Sequence, residues 1–286
     1  MARVRWITMM VFILMSGWLT LRAEDTPKPV FQWKVGEELF YKVKYLFIKV
    51  GTLHFKVLEK TTYANRPVYH CWMHIKSASG VPLVDIDDFY ESYIDENMYT
   101  HYFIADEKQG NHRLYTTYEM NYDSSFVRIH IEKRFPDDTV AVLDSLVSLP
   151  VKVQDGLSLL YYARAYCKTG QPGDVPVFAF NELKSTFINF TRELQELKVK
   201  GVEVKGYYLD GKMKFVGIAG VKEDFKGWFS EDPQSVPLHA RMKAIVGSVK
   251  INLEWWRNWD GEAILGVDKN KLPEASAEEE EEEGAE

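Results

Sequence analysis

The chain is poor in the residues that announce chemistry. Two cysteines among 286 residues allow at most one bridge, Cys71 to Cys167. Two buried free thiols are the expected state, because a helix residue and a strand residue must meet within a narrow distance to bridge. The glycine-serine combinations Ser77-Ala78-Ser79-Gly80 and Gly156-Leu157-Ser158 lack the second glycine of a nucleophile elbow. There is no phosphate loop and no dinucleotide fingerprint. The reading is therefore of a non-enzyme without cofactor or resident metal. No apolar run exceeds the one at the start of the chain, and no Pro/Ser/Gly linker interrupts residues 24–270, so one domain is expected there.

Charge excludes a further class. The first 23 residues hold three arginines and no acid, which leaves 32 basic and 42 acidic residues beyond them, and Glu274 to Glu286 contain eight of those acids. The body is thus near −2. A nearly neutral body offers no basic footprint for nucleic acid. The run Glu278 to Glu283 repels itself and has nothing apolar to bury, so residues 271–286 read as a disordered acidic tail. At the other end, Arg3 and Arg5 precede a 16-residue apolar run from Trp6 to Leu21, followed by Leu21-Arg22-Ala23 and polar Glu24-Asp25. That order reads as a signal peptide over residues 1–23. The run is shorter than the roughly 20 residues of a spanning helix, so export without a transmembrane helix is expected.

The body alternates with a period of two, which is the strand signal. Tyr41, Val43 and Tyr45, then Leu53, Phe55 and Val57, alternate with Lys, Thr or His, with a turn or kink expected near Gly51. Tyr69, Cys71, Met73 and Ile75 alternate with His70, Trp72 and His74, after a hairpin turn near Thr62 to Ala64. Further runs are 99–105, 113–122, 126–132, 187–190, 195–204, 211–216, 220–230, 237–246 and 247–256. Polar turns are read at Leu209-Asp210-Gly211-Lys212 and Glu231-Asp232-Pro233-Gln234. One segment departs from the rhythm: Asp155 can cap a helix from Gly156 to Lys168, ended by Gly170, with Arg164 its only charge before Lys168. A lone apolar helix beside a long antiparallel meander predicts a mainly β fold, a curved half-open barrel wrapped around one buried helix.

Four stretches in order then give a resemblance: Gly36-Glu37-Glu38-Leu39-Phe40-Tyr41 with Gly51 beyond, Asp87 to Asp95 (DDFYESYID), Gln154 to Arg164 (QDGLSLLYYAR), and Trp228-Phe229-Ser230-Glu231-Asp232 with Pro237 and Gly247-Ser248. On these the chain resembles the family called domain of unknown function 3108. The resemblance implies an exported, Gram-negative periplasmic or envelope protein, most like those of Bacteroidetes, and carries no established activity. The Glu-rich tail departs from the family pattern.

Several residue groups are candidates for function. His54, His70 and His74 share a strand face and could approach one another, though solvated histidines on a wet face are ordinary. Asp85, Asp87, Asp88 and Glu91 cluster without the loop glycine or terminal glutamate of a calcium hand. Arg164, in a buried helix, needs a carboxylate or carbonyl, and Asp87, Asp88, Glu91 or Asp232 is the expected partner. Trp255, Trp256 and Trp259 are expected to leave an exposed apolar rim. A long curved sheet supplies more apolar surface than a three-turn helix covers, which predicts an apolar cleft beside Tyr161, Tyr162 and Arg164. The ligand-binding candidates are Leu160, Tyr161, Tyr162, Arg164, Tyr90, Tyr93 and Trp228. An apolar or lipid-like ligand is the first expectation. Docking onto an envelope protein complex without a small ligand is the second.

Overall fold

A computed structural model describes residues 31–261 apart from 82–83, 217–221 and 244–246. The expected signal peptide and acidic tail lie outside the described residues. Eight strands come first: β1 Glu38–Tyr45, β2 Ile48–Tyr63, β3 Arg66–Ser77, β4 Asp87–Asp95, β5 Thr100–Gln109, β6 His112–Asn121, β7 Phe126–Arg134 and β8 Thr139–Ser148. The helix α1 Ser158–Tyr166 follows, and then β9 Gly173–Ala179, β10 Glu182–Val199, β11 Val202–Val216, β12 Lys222–Phe229, β13 Pro237–Lys243 and β14 Ser248–Arg257. All belong to one antiparallel sheet. The chain meanders from β1 outward to β8, crosses the interior through residues 149–157 and α1, and restarts at the far edge with β9. It then meanders back until β14 lies beside β1.

The sheet rolls over without closing into a barrel. Its β9 edge is tied to the crossing segment, where the Gln154 N–H donates to Pro176 O (2.9 Å) and the Phe178 N–H to Gln154 O (2.8 Å). The Thr100 N–H, at the start of β5, donates to Val153 O, and the Tyr118 hydroxyl of β6 donates to Asn181 Oδ1 (2.9 Å) at the β9–β10 turn. Among the described residues strand β8 is left as a free edge. Among the described residues no helix is long and apolar enough to cross a membrane.

Local chemistry accounts for most turns. Ala64-Asn65, Phe180-Asn181 and Lys200-Gly201 all have positive φ at both positions, the conformation of two-residue hairpin turns that match strand twist. The Lys200-Gly201 turn divides the expected run 195–204 into the ends of β10 and β11. The turn expected at Leu209 to Lys212 is absent, since Leu209, Asp210 and Gly211 pair in register with Gly227, Lys226 and Phe225. Gly211 is needed for contact: a Cβ there would meet the Phe225 ring and the Phe187 carbonyl. The first hairpin turns at Leu46-Phe47, and Gly51 sits inside β2 opposite Val43 and Ser77.

Strands β8 and β9 were not legible as such. The first exposes Val140 and Val142 while Leu143 and Val147 pack on the core, and the second contains Pro176, whose missing N–H demotes a strand. The helix is shorter than expected. Asp155 still serves its start, with Oδ1 accepting the N–H groups of Leu157 (2.6 Å) and Ser158 (2.8 Å). Asp155 is wholly buried and also accepts the hydroxyls of Ser92 and Thr100. Burial raises its pKa against these bonds.

Arg164 is 1 % exposed. It forms a forked pair with Glu37, Nη1 to Oε1 at 2.6 Å and Nη2 to Oε2 at 2.7 Å, and its Nε and Nη2 donate to Gln234 O. Gln234 Nε2 completes the carboxylate at 2.7 Å, and the Phe31 and Tyr161 rings flank the guanidinium at 5.1 and 5.2 Å. The expected partners are engaged elsewhere. Asp87 meets His74, Glu91 meets His70, Asp88 accepts the Lys108 N–H, and Asp232 accepts Trp259 Nε1. The tryptophan trio is buried too, at 9, 5 and 2 % exposure for Trp255, Trp256 and Trp259. Trp256 and Trp259 meet edge to face, while Arg257 covers Trp255 on the other side. Truncating one member of a buried ion pair strands the other charge. Arg164→Met is therefore expected to cost about 3–5 kcal/mol in denaturant unfolding, with part of the loss recovered when Glu37→Met is added. A single variant as stable as the wild type would contradict the lock.

Candidate functional site

The interior is filled at the Arg164 end of α1 and hollow at the other. A cavity of about 700 Å³ opens beside the helix start, lined by Gly156, Leu157 and Leu159. Alternation produces its walls, because every second residue of a strand faces inward. Val43 and Tyr45 come from β1, Leu53 from β2, Met73 and Ile75 from β3, Phe103 and Ala105 from β5, Val249 and Ile251 from β14, and Met213 and Met242 close the far side. Phe178 and Ala179 at the end of β9 and Phe180 of the turn after it complete the lining.

Few polar side chains enter. Tyr90, Glu107, Thr116 and Tyr118 line one wall, and the Tyr90 hydroxyl donates to Glu107 Oε1 at 2.8 Å. Burial, opposed by that bond and reinforced by Asp88 and Asp106, raises the Glu107 carboxyl. Burial likewise raises neighbouring Asp88. The wall thus sets one carboxyl, whose ionisation burial opposes, beside an apolar void. Such a site suits an apolar body with a hydrogen-bonding end.

Of the seven ligand-binding candidates, Tyr90 lines this cavity and six lie elsewhere. Tyr161 and Arg164 are buried in the lock below it. Leu160 and Tyr162 are half-buried against the core, with Tyr162 stacked on Tyr166. Tyr93 stacks on His70 and Trp228 lies against Tyr208 and His239, both on the outer side of the sheet. The site sits at the start of the helix, about one turn before the expected place. Glu107 was missed although its signal was present: Phe103, Ala105 and Glu107 keep one parity, which sets a carboxyl on an apolar face.

The outer face gathers the histidines as expected, with His54 directly opposite His74. Each has its own carboxylate: Glu38 for His54 (3.3 Å), Glu91 for His70 (2.7 Å) and Asp87 for His74 (2.6 Å). Burial, then the charge of Lys56, lowers His54 to about 4. Among the described residues no group of three His, Cys, Asp or Glu is placed to hold a metal ion. Cys71 and Cys167 are free and buried, and burial raises both thiols, Cys167 to about 11.

Comparison with known proteins follows the same lines. The sequence model of a family described as "Protein of unknown function (DUF3108)" matches residues 41–254. No curated protein matches the chain. A solved structure, the beta-barrel-like protein of domain of unknown function DUF1849 from Brucella abortus, is similar with a TM-score of 0.51 at 9% identity, over 79% of this chain and 98% of that one. At that identity the likeness concerns the fold.

A carboxyl raised by folding contributes fully below its unfolded pKa, and that contribution is lost as pH rises through the folded value. Glu107→Gln should therefore be more stable than the wild type at neutral pH. The gap should shrink toward acid pH in denaturant unfolding. Superimposed stability curves would show that the carboxyl is freely hydrated.

Proposed function

The chain belongs to the DUF3108 family of proteins of unknown function, a membership that brings no activity with it, and we propose that it is an exported, non-enzymatic envelope protein that binds an apolar or lipid-like ligand in the cavity. The supporting observation is the void itself, about 700 Å³ with an almost wholly apolar lining. Its size lies within the range of small-molecule sites. Empty apolar space on this scale forfeits packing contacts, and an acyl or isoprenoid body would restore them. Tyr90 and Glu107 would hold the polar end through hydrogen bonds. A ligand carrying its own carboxylate should then bind better as pH falls.

A second reading has its own support. Strand β8 pairs on one side only and exposes Val140, Val142 and Leu146. A free, partly apolar edge is a template for an added strand, as an interaction protein docking on an envelope complex would use.

The two readings separate on ligand content. Organic extracts of the natively purified protein should contain a lipid by mass spectrometry, and a fluorescent fatty acid should bind the wild type. Gly156→Trp introduces a ring where a Cβ meets no heavy atom within 4 Å, so the variant should keep its thermal transition and bind at least about tenfold more weakly. An empty extract together with no binding by the wild type would remove the carrier reading and leave the β8 edge in front.

A further inference from the structure

Outside the cavity wall, near the mouth, the sheet carries a row of like charges. Lys49, Lys44, Lys250, Arg241 and Lys226 stand in register across β2, β1, β14, β13 and β12. Their sequence neighbours Val50, Val43, Tyr45, Val249, Ile251 and Met242 line the cavity, so alternation turns the cations to the outer face. Five adjacent strands make the row about 19 Å long. Like charges directly opposite destabilise a sheet, and other cations here find carboxylates: Lys42 and Lys200 meet Glu254, Lys56 meets Glu38, and Lys243 meets Asp224. Among the described residues none of the five has a carboxylate within salt-bridge distance. The row ends where Lys226 faces Asp210.

An apolar tip stands directly beyond it. The turn that follows the Lys44 and Lys49 pair presents Leu46, Phe47 and Ile48 at 51, 85 and 55 % exposure. Leu46 lies beside Gly247, so the β1–β2 turn stands next to the start of β14, whose Val249 lines the cavity. A projecting apolar tip backed by cations is the pattern of an interfacial anchor, with rings and branched chains entering the headgroup boundary and lysines meeting phosphates. The tip protrudes and forms no groove, which suits a fluid surface better than the shaped pocket of an acidic protein.

We propose that this end of the molecule docks on an anionic lipid surface through Leu46, Phe47 and Ile48 and the five-cation row. Docking in this orientation turns the mouth toward the bilayer. The surface lies outside the cavity and is testable without reference to what the cavity holds.

Sedimentation of the purified protein with phosphatidylcholine vesicles, with and without phosphatidylglycerol, tests it. The wild type should bind the anionic vesicles alone and release at high salt. Combining Lys44→Glu, Lys250→Glu and Arg241→Glu should weaken binding by at least about tenfold, and Phe47→Ser should weaken it several-fold, both with thermal transitions intact. Gly156→Trp should sediment like the wild type, which separates docking from cavity occupancy. Absence of wild-type binding to anionic vesicles would overturn the proposal. So would equal binding to soluble polyglutamate with no effect of Phe47→Ser, an outcome that assigns the row to an acidic polymer.

Discussion

The fork between Arg164 and Glu37 is the constraint from which the interior follows. It joins the residue before β1, the middle of the crossing helix and, through Gln234, the β12–β13 connection. Three distant parts of a meander are thereby held at one point. A buried ion pair contributes little net stability relative to a well-packed apolar cluster, because desolvation offsets most of the attraction. Its consequence here is placement. A charged residue that accepts one partner geometry fixes the depth and rotation of α1 inside the sheet. Tyr161, Phe31 and Trp33 then pack around it, with Trp33 stacked on both Tyr69 and Tyr161.

Placement of the helix divides the space inside the sheet. Its later turns fill one end with the guanidinium, tyrosine rings and the Trp256–Trp259 pair. Its first turn stops short of the other end, where strands continue past it and their inward side chains face a void. The Asp155 cluster holds that boundary by fastening the helix start to Ser92 of β4 and Thr100 of β5. One end is closed by a polar lock and the other remains open and apolar. Chemistry on the outer face differs throughout: histidine–carboxylate pairs, lysine–glutamate pairs and a row of cations that finds no carboxylate among the described residues.

The fold class was legible because the strands keep strict alternation and Asp155 announces the helix. What escaped has physical causes. Asp210-Gly211 looks like a turn by residue type, yet Gly211 serves the close approach of the Phe225 ring. Strand β9 hides behind Pro176, which a strand at the sheet edge tolerates. All three terminal tryptophans are buried because Trp255 and Trp256 take opposite faces and each face has its own cover. Glu37 was read as part of a motif and not as a charge partner, since a pairing across 127 positions leaves no local trace. Notably, the stretches that carry the family resemblance supply Glu37, Tyr41, Ser92, Asp155, Arg164 and Asp232. These residues build the locks, while Tyr90, Gly156, Leu157 and Leu159 of the same stretches line the cavity, so the resemblance touched both the fold and the site.

A crystal structure of the protein purified without removal of bound lipid tests the hollow interior most directly. Elongated apolar density between Phe103, Tyr118 and Met213, with its polar end beside Tyr90 and Glu107, is the expected result. An interior collapsed onto its own side chains, with the space beside Gly156 and Leu159 filled and no ligand density, would contradict it.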